Sequence, residues 1–151
     1  MKTNLAAVIT LFLAITACGE SRSVQCDKIG GILNSTATQL MTASGTAEGF
    51  SQGAVLEDQA AADLEVLELG DKKLSNMRSH LAAAYRSNAV ASREMDAIAG
   101  ADGTVISNTG NNDVVARFEQ ANQEFSSIFT ATQTYCNGGD VPTEYTEQPA
   151  P

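Results

Sequence analysis

The chain has 151 residues, and its 9 lysines and arginines stand against 18 aspartates and glutamates, for a formal net charge of −9 at pH 7. Nucleic-acid binding needs a basic stripe that contacts phosphates, and a chain this acidic does not supply one. Anionic lipid headgroups repel it as well. A single histidine excludes metal sites built from several histidines. We therefore predict no nucleic-acid partner and no metal site of that kind.

The N-terminus has the pattern of an export signal. Lys2 supplies a positive charge, and an apolar run at residues 5–15 follows it. This run falls within the roughly 7 to 15 residues of a signal-peptide core and is shorter than the about 20 residues of a membrane-spanning helix. The run ends in the string ITAC at residues 15–18, which resembles the lipobox of bacterial lipoproteins.

The resemblance to lipoproteins implies a processing route and a location. Residues 1–17 would be removed as a signal peptide, and Cys18 would carry a diacylglycerol and an acylated amino group. Each buried CH₂ contributes about 0.8 kcal/mol, so these chains would anchor the mature protein to a bilayer. Gly19 after the lipidated cysteine favours the periplasmic face of the outer membrane, with the inner membrane and the thylakoid lumen as alternatives. The other interpretation is an ordinary signal peptide that ends in a cysteine.

The remaining two cysteines suggest a disulfide. If Cys18 carries lipid, Cys26 and Cys136 are left in an oxidising compartment, where paired cysteines are the rule. Two unpaired buried thiols are the alternative. A bridge between them would close a loop of about 110 residues and stabilise the fold by somewhat under 5 kcal/mol in the chain-entropy model. It would tie one end of the domain to the other.

Composition divides the mature chain into three parts. Residues 18–25 form a polar lipidated tether, and residues 26–136 carry the regular apolar pattern of one domain. From residue 137 the apolar pattern stops, and glycine, proline and acidic residues predict a disordered tail over 137–151.

Within residues 26–136 apolar residues recur at spacings of three and four, which predicts amphipathic helices. We expect the first helix to end near residues 41–44, and the second to run from about Ala54 to Gly70. Asp71 should cap the third helix, and Asn112 or Asp113 the fourth. The buried stripes of the four are predicted to be Cys26, Ile29, Leu33, Ala37 and Leu40; Leu56, Ala60, Leu64 and Leu67; Leu74, Met77, Leu81, Ala84, Asn88, Ala91, Met95 and Ile98; and Val114, Phe118, Ala121, Phe125, Ile128, Phe129, Thr132 and Tyr135.

The disulfide and the helix count support each other. In an up-and-down arrangement, the start of the first helix and the end of the last helix meet only when the number of helices is even. A bridge requires Cα atoms within about 7 Å, so a pairing of Cys26 with Cys136 favours four helices over three. We therefore predict an all-α fold, an up-and-down four-helix bundle closed by one disulfide.

Four short strings in this domain stand out: CDKI at residues 26–29, DKKL at 71–74, YR at 85–86 and TYC at 134–136. Together they resemble the small secreted or lipoprotein helical domains that are common in cyanobacteria. The resemblance covers most of residues 26–136 and implies a helical bundle with a disulfide, without an active site.

The residues offer little sign of cofactor or metal chemistry. His80 and Met41 are the pair that could ligate a haem, but the Cys-x-x-Cys-His attachment motif is absent. We predict His80 on the surface and no cofactor. The oxygen-bearing side chains of a loop do not have EF-hand spacing, and we predict no metal there. These loop residues are Asp102, Ser107, Asn108, Asn111, Asn112 and Asp113.

The acidic residues of the second helix suggest a surface instead. Without Glu-x-x-His pairs they do not form a di-iron site, and charge runs of this kind usually face solvent. We therefore predict that the protein is not an enzyme. It would be a membrane-anchored interaction module that binds an unidentified protein of the envelope or photosynthetic membrane. The residues expected to form its acidic face are Glu57, Asp58, Glu65 and Glu68. The alternative function is a carrier that holds a pigment, lipid or metal in a cavity between helices.

Overall fold

The computed structural model describes residues 19–44, 46, 48–100, 103–105 and 110–149. Over these residues the chain is mostly helical, and it contains no strand beyond an isolated bridge between Ala99 and Val105. None of the described helices combines the length and the apolar character needed to cross a membrane. The predicted signal peptide and the lipidation residue Cys18 lie outside the described part of the chain. The helices are α1 (Arg22–Ala43), α2 (Gly49–Glu65), α3 (Lys72–Ile98), α4 (Asn112–Cys136) and α5 (Thr143–Thr146).

Helix α1 begins earlier than expected, at Arg22 rather than Cys26. Ser21 caps it, because its hydroxyl accepts a hydrogen bond from the backbone N–H of Val24. Gln25 is buried, and its amide donates to the carbonyl of Glu20 at 2.7 Å. The prediction of a polar tether over residues 18–25 therefore differs from the structure for residues 22–25, which are helical.

Helix α2 is also displaced from its predicted range. It begins at Gly49 rather than Ala54 and ends at Glu65, so Gly70 does not terminate it. The non-helical residues that follow still contribute to the core, since Leu67 and Leu69 pack against it. The Arg78 guanidinium donates to the carbonyl of Leu67 and satisfies a backbone group that a longer helix would have bonded internally.

Paired side chains show that α3 runs antiparallel to α2 and to α4. Along each of these two pairs of helices the residue numbers fall on one as they rise on the other, and α1 meets the start of α3 through Gln25 and Asp71. Helix α3 packs most extensively, against both α2 and α4, whereas α1 makes few contacts with α4. The pairs that establish the directions are Glu57–Ser92 and Glu65–Arg86 across α2 and α3, and Glu94–Arg117 and Asp71–Tyr135 across α3 and α4.

The core is centred on α3. The predicted stripe of this helix is confirmed, because every member except the half-buried Ile98 is buried. The stripe of α1 is wrong at one position, where Ala37 is exposed and Thr36 is buried instead. Thr36 tolerates burial because its hydroxyl donates to the carbonyl of Ile32 at 2.9 Å. The largest fully buried side chains are Ile29, Leu64, Leu74, Met77 and Leu81.

The predicted disulfide between Cys26 and Cys136 is confirmed, with 5.8 Å between the two Cα atoms. It joins the second turn of α1 to the last residue of α4. A hydrogen-bonded node lies at the same end of the molecule. The backbone N–H of Asp71 donates to Gln25 at 2.8 Å, and its carboxylate accepts from the Tyr135 hydroxyl at 2.9 Å.

Asp71 also caps α3, as predicted, because its second carboxylate oxygen accepts from the backbone N–H of Leu74 at 3.1 Å. Its three partners belong to α1, α3 and α4. We call the disulfide together with Gln25, Asp71 and Tyr135 the disulfide end of the domain.

The C-terminal segment differs from the predicted disordered tail. Residues 143–146 form α5, which packs on α3. Asn76 donates to the carbonyl of Thr146 at 2.6 Å, while Val141 and Tyr145 pack against the core. Two apolar side chains four residues apart offset the ordering cost of this otherwise polar segment.

Candidate functional site

The predicted acidic face is not one continuous surface. Asp58 and Glu65 lie on one side of α2, where arginines of α3 pair with them. Glu68 is exposed beyond the end of the helix, and Glu57 is buried. The expectation that these four acids form a shared binding face is therefore wrong for Glu57.

Arginines of α3 form ion pairs with Asp58 and Glu65, the two acids on the accessible side of α2. Arg86 holds Glu65 in a two-point contact, at 2.9 Å and 2.8 Å, and this hydrogen bonding lowers the pKa of Glu65. Arg93 pairs with Asp58. A partner that used these acids would have to displace arginines already in place.

Glu57 occupies a different environment. It is only 7% exposed, and its carboxylate accepts a hydrogen bond from the Ser92 hydroxyl at 2.9 Å. Burial raises its pKa from the ordinary 4.5 to about 7, against the lowering effect of the Ser92 hydrogen bond. Asp58 adds to the increase and Arg93 opposes it. Glu57 therefore titrates much closer to neutral pH than an ordinary glutamate.

A cavity of about 340 Å³ adjoins Glu57 at the end of the domain opposite the disulfide. We call it the Glu57 pocket. Phe50 and Phe118 meet edge to face in its wall, with 5.8 Å between ring centroids. The lining comes from all four long helices and their connections: Leu40, Ser44, Thr46, Gly49, Phe50, Gly53, Glu57, Ser92, Gly103 and Phe118.

Further polar groups are buried along the neighbouring turns of α3. Asn88, the polar member of the predicted α3 stripe, is 4% exposed, and its Oδ1 atom lacks a hydrogen-bond partner among the described residues. Tyr85 is buried one turn earlier, and this burial raises its pKa to about 12 despite a hydrogen bond with Thr36. The interior beside α2 is thus more polar than an ordinary helical core.

The sequence contains a pattern that indicates burial of Glu57. Grouping Glu57 with the neighbouring acidic residues obscured this pattern. Glu57 lies three, four and seven residues before Ala60, Ala61 and Leu64, which are all buried. An acid at this position of an apolar stripe points to the core. Because the predicted helix began only at Ala54, the stripe was too short at its N-terminal end to reveal this.

A second, larger depression lies between α3 and α4, with a volume of about 490 Å³. His80 and Tyr145 lie at one end of it in an edge-to-face contact, with 6.0 Å between ring centroids. His80 is half-buried, and its Nε2 atom is 2.9 Å from the carbonyl of Glu147, to which it donates. The walls are largely exposed polar side chains, among them Gln120, Gln123, Glu124 and Ser127.

The two residues considered for a haem, His80 and Met41, are not brought together. Met41 is 79% exposed near the end of α1, while His80 lies near the start of α3, next to the disulfide end. No cluster of three or more potential metal ligands occurs among the described residues. Asp102, Ser107 and Asn108 lie outside that part of the chain.

The Glu57 pocket is therefore where a cavity, aromatic side chains and a buried ionisable group coincide. The α3–α4 depression is larger, but its titratable groups are already partnered or exposed. Comparison of the chain with protein-family models, with curated proteins and with solved structures finds no match.

Proposed function

We propose that the protein is exported, is anchored to a bilayer through acylated Cys18, and binds a small ligand in the Glu57 pocket. The observation that carries this proposal is a buried carboxyl in the wall of a cavity of about 340 Å³. Ligand sites typically have volumes of about 300 to 1,000 Å³ and combine apolar walls with a few polar groups. The pocket meets both criteria.

The energetics of Glu57 support a binding role. A buried carboxylate with one hydroxyl partner is less well solvated than in water, so it costs folding stability. Nothing in the packing of α2 against α3 requires an acid at this position, since alanines fill the next turn. A ligand that interacts with the carboxyl would offset this cost.

We also propose an up-and-down four-helix bundle for the domain. The antiparallel pairs across α2, α3 and α4 and the disulfide between α1 and α4 support this arrangement. Bundles of this kind build their ligand sites between helices. The Glu57 pocket has such a position.

The anchor would place the pocket away from the membrane. Only residues 19–21 separate Cys18 from α1, and three residues extend about 10 Å at most. The pocket is lined by Leu40 and Ser44 at the other end of α1, a helix of 22 residues and thus about 33 Å long. A ligand would therefore enter from the aqueous compartment rather than from the bilayer.

Native mass spectrometry of the protein extracted from its own membranes tests the binding role. We expect a non-covalent small-molecule adduct on the wild type and its loss in Gly53→Leu, which fills the pocket from α2. A Cβ atom at Gly53 meets Leu40 at 3.7 Å, an ordinary contact, so the first carbon of the new side chain fits without displacing the helix. Ala83→Leu in the α3–α4 depression is the matched control and should retain the adduct. A wild type without any adduct, or an adduct that survives Gly53→Leu, contradicts the proposal.

The anchor is tested separately by phase partition. The wild type should enter the detergent phase with a labelled lipid, and Cys18→Ala should either remain in the aqueous phase or stay unprocessed. Recovery of an unlipidated wild type from the aqueous phase contradicts the anchor and leaves the pocket unaffected.

A second candidate function is the interaction module. The α3–α4 depression favours it, because the exposed Val90, at 55%, and several alanines line it and its continuation along α3. A protein partner held there should be lost in Ala83→Leu and retained in Gly53→Leu, the reverse of the ligand result. Cross-linking in intact membranes followed by mass spectrometry distinguishes the two.

A further inference from the structure

We infer that the ligand of the Glu57 pocket is a small organic cation, an amine in its protonated form joined to an apolar body. This inference rests on the proposed binding function and specifies its ligand class. The juxtaposition that carries it is a nine-tenths buried carboxyl, Glu57, beside an edge-to-face pair of phenyl rings in one cavity.

The charges around the carboxyl favour a cation. The described lining of the pocket includes no lysine, arginine or histidine, and Glu57 is its one charged side chain. Asp58 of α2 and Arg93 of α3 act on Glu57 from outside the lining and pair with each other. An anionic ligand would meet an uncompensated acid, whereas an ammonium group would form a charge-assisted hydrogen bond with it.

Among the described residues that line the pocket, the other elements contribute no further charge. Helix α1 and the residues after it supply Leu40, Ser44 and Thr46, and α4 supplies Phe118, none of which is charged. Burial and the charge of Glu57 raise the pKa of Tyr85 of α3 to about 12, so Tyr85 is neutral and adds no charge. The pocket is therefore electrostatically negative once Glu57 ionises, and the net charge of −9 for the whole chain attracts cations toward it.

The remaining wall fits an apolar body. Leu40, Phe50 and Phe118 provide aliphatic and aromatic surface, and the faces of phenyl rings attract cations. Glycines at positions 49, 53 and 103 place backbone rather than side chains at the cavity. With about 340 Å³, the volume lies near the lower limit for ligand pockets of about 300 Å³, which favours a compact molecule over a large pigment.

Binding of such a ligand is coupled to a proton. Burial raises the pKa of Glu57 to about 7, so part of the population carries a neutral Glu57 at neutral pH. The ammonium pairs with the ionised form, and the proton of a neutral Glu57 passes to solvent when the ion pair forms. Affinity for the cation should therefore rise with pH until Glu57 is fully ionised.

Three matched probes test the inference by calorimetric titration of the full-length protein: phenethylamine, phenethyl alcohol and hydrocinnamate. They share a phenyl-ethyl body and differ in an ammonium, a hydroxyl or a carboxylate head group. Near pH 8 we expect the amine to bind at least about tenfold more tightly than the alcohol, which is about 1.4 kcal/mol. Near pH 5, where Glu57 is neutral, the preference should largely disappear. Near pH 7, buffers of different ionisation enthalpy should report proton release.

Two variants test whether the preference for the amine depends on the Glu57 carboxyl. Glu57→Gln keeps an acceptor for the Ser92 hydroxyl and should reduce the amine to the affinity of the alcohol. Glu65→Gln, also on α2 but exposed, should leave the preference for the amine unchanged. Circular dichroism checks that both variants keep the helical fold, and the pH dependence of the wild type tests the inference without any variant.

The outcomes separate the ligand class from the binding function. Equal affinity for amine and alcohol, or tighter binding of hydrocinnamate, overturns the inference while the pocket remains a ligand site. An amine preference that persists in Glu57→Gln also overturns it. Binding of none of the three probes overturns the ligand class, and the native adduct lost in Gly53→Leu then decides whether the pocket function survives.

Discussion

The two ends of the helical domain differ in how their polar groups are satisfied. At the disulfide end, Asp71 uses its backbone and both carboxylate oxygens to bond Gln25, Leu74 and Tyr135, next to a covalent bridge. At the pocket end, Glu57 has the Ser92 hydroxyl for a partner and adjoins a cavity. The contrast teaches that a domain joined covalently at one end can keep a buried acid beside a cavity at the other.

The largest expected effect comes from removing the bridge. Cys26→Ala with Cys136→Ala should lower the free energy of unfolding by about 2 to 5 kcal/mol, because the unfolded chain regains the freedom of a long loop. That loop spans 110 residues. The thermal midpoint, followed by circular dichroism, should fall by roughly 6 °C or more. Reducing agent should have the same effect on the wild type and none on the variant. An unchanged midpoint would show that this end does not depend on the disulfide.

The second prediction concerns Glu57, and here the substitution should raise the free energy of unfolding instead of lowering it. The folded protein binds the Glu57 proton more tightly than the unfolded chain, so stability should fall as the pH rises from 4.5 to about 7. Glu57→Gln removes this loss and should be more stable than the wild type above pH 7, by up to about 3 kcal/mol. Urea unfolding across this pH range measures the free energy of unfolding of the wild type and of Glu57→Gln as a function of pH. Glu65→Gln is the control, and parallel curves for the wild type and Glu57→Gln would refute the burial of an ionisable acid.

A smaller effect should follow from Tyr145→Ala in α5. This half-buried ring packs against the core and contacts His80 edge to face, so its loss should reduce stability by about 1 to 2 kcal/mol. Chemical denaturation measures this, and Glu144→Ala on the exposed side of α5 should have no comparable effect. Equal stabilities of wild type and Tyr145→Ala would restore the interpretation of a disordered tail.

The smallest effect should come from Tyr135→Phe at the disulfide end. The substitution removes the hydroxyl that donates to Asp71, and the loss should be about 1 kcal/mol or less because the site is partly exposed. Burial and the nearby Asp71 raise the pKa of Tyr135. Spectroscopic titration of the tyrosines should therefore lose a late-titrating group in Tyr135→Phe. A phenol that titrates normally in the wild type would contradict this contact.

Local spacing determined much of the fold. The stripe of α3, the cap at Asp71 and the helical character of the chain follow from periodicity and from the geometry of single residues, which neighbours along the sequence decide. The pairing of Cys26 with Cys136 followed from counting cysteines, because only these two remain once Cys18 is assigned to lipid. The stripe and the cap depend on near neighbours in the sequence, whereas the disulfide joins residues 110 positions apart and was predictable because no other pairing remained.

The tertiary structure alone decided the features that depend on contacts between distant residues. Glu57 becomes a buried acid because Ser92, 35 positions away, faces it from α3, and α5 is ordered because Asn76, 70 positions from Thr146, bonds its last carbonyl. Asp58 and Glu65 lose their availability to a partner because arginines of α3 reach them. Spacing along the chain predicts which face of a helix is apolar, but the burial and protonation of a polar side chain depend on what packs against it.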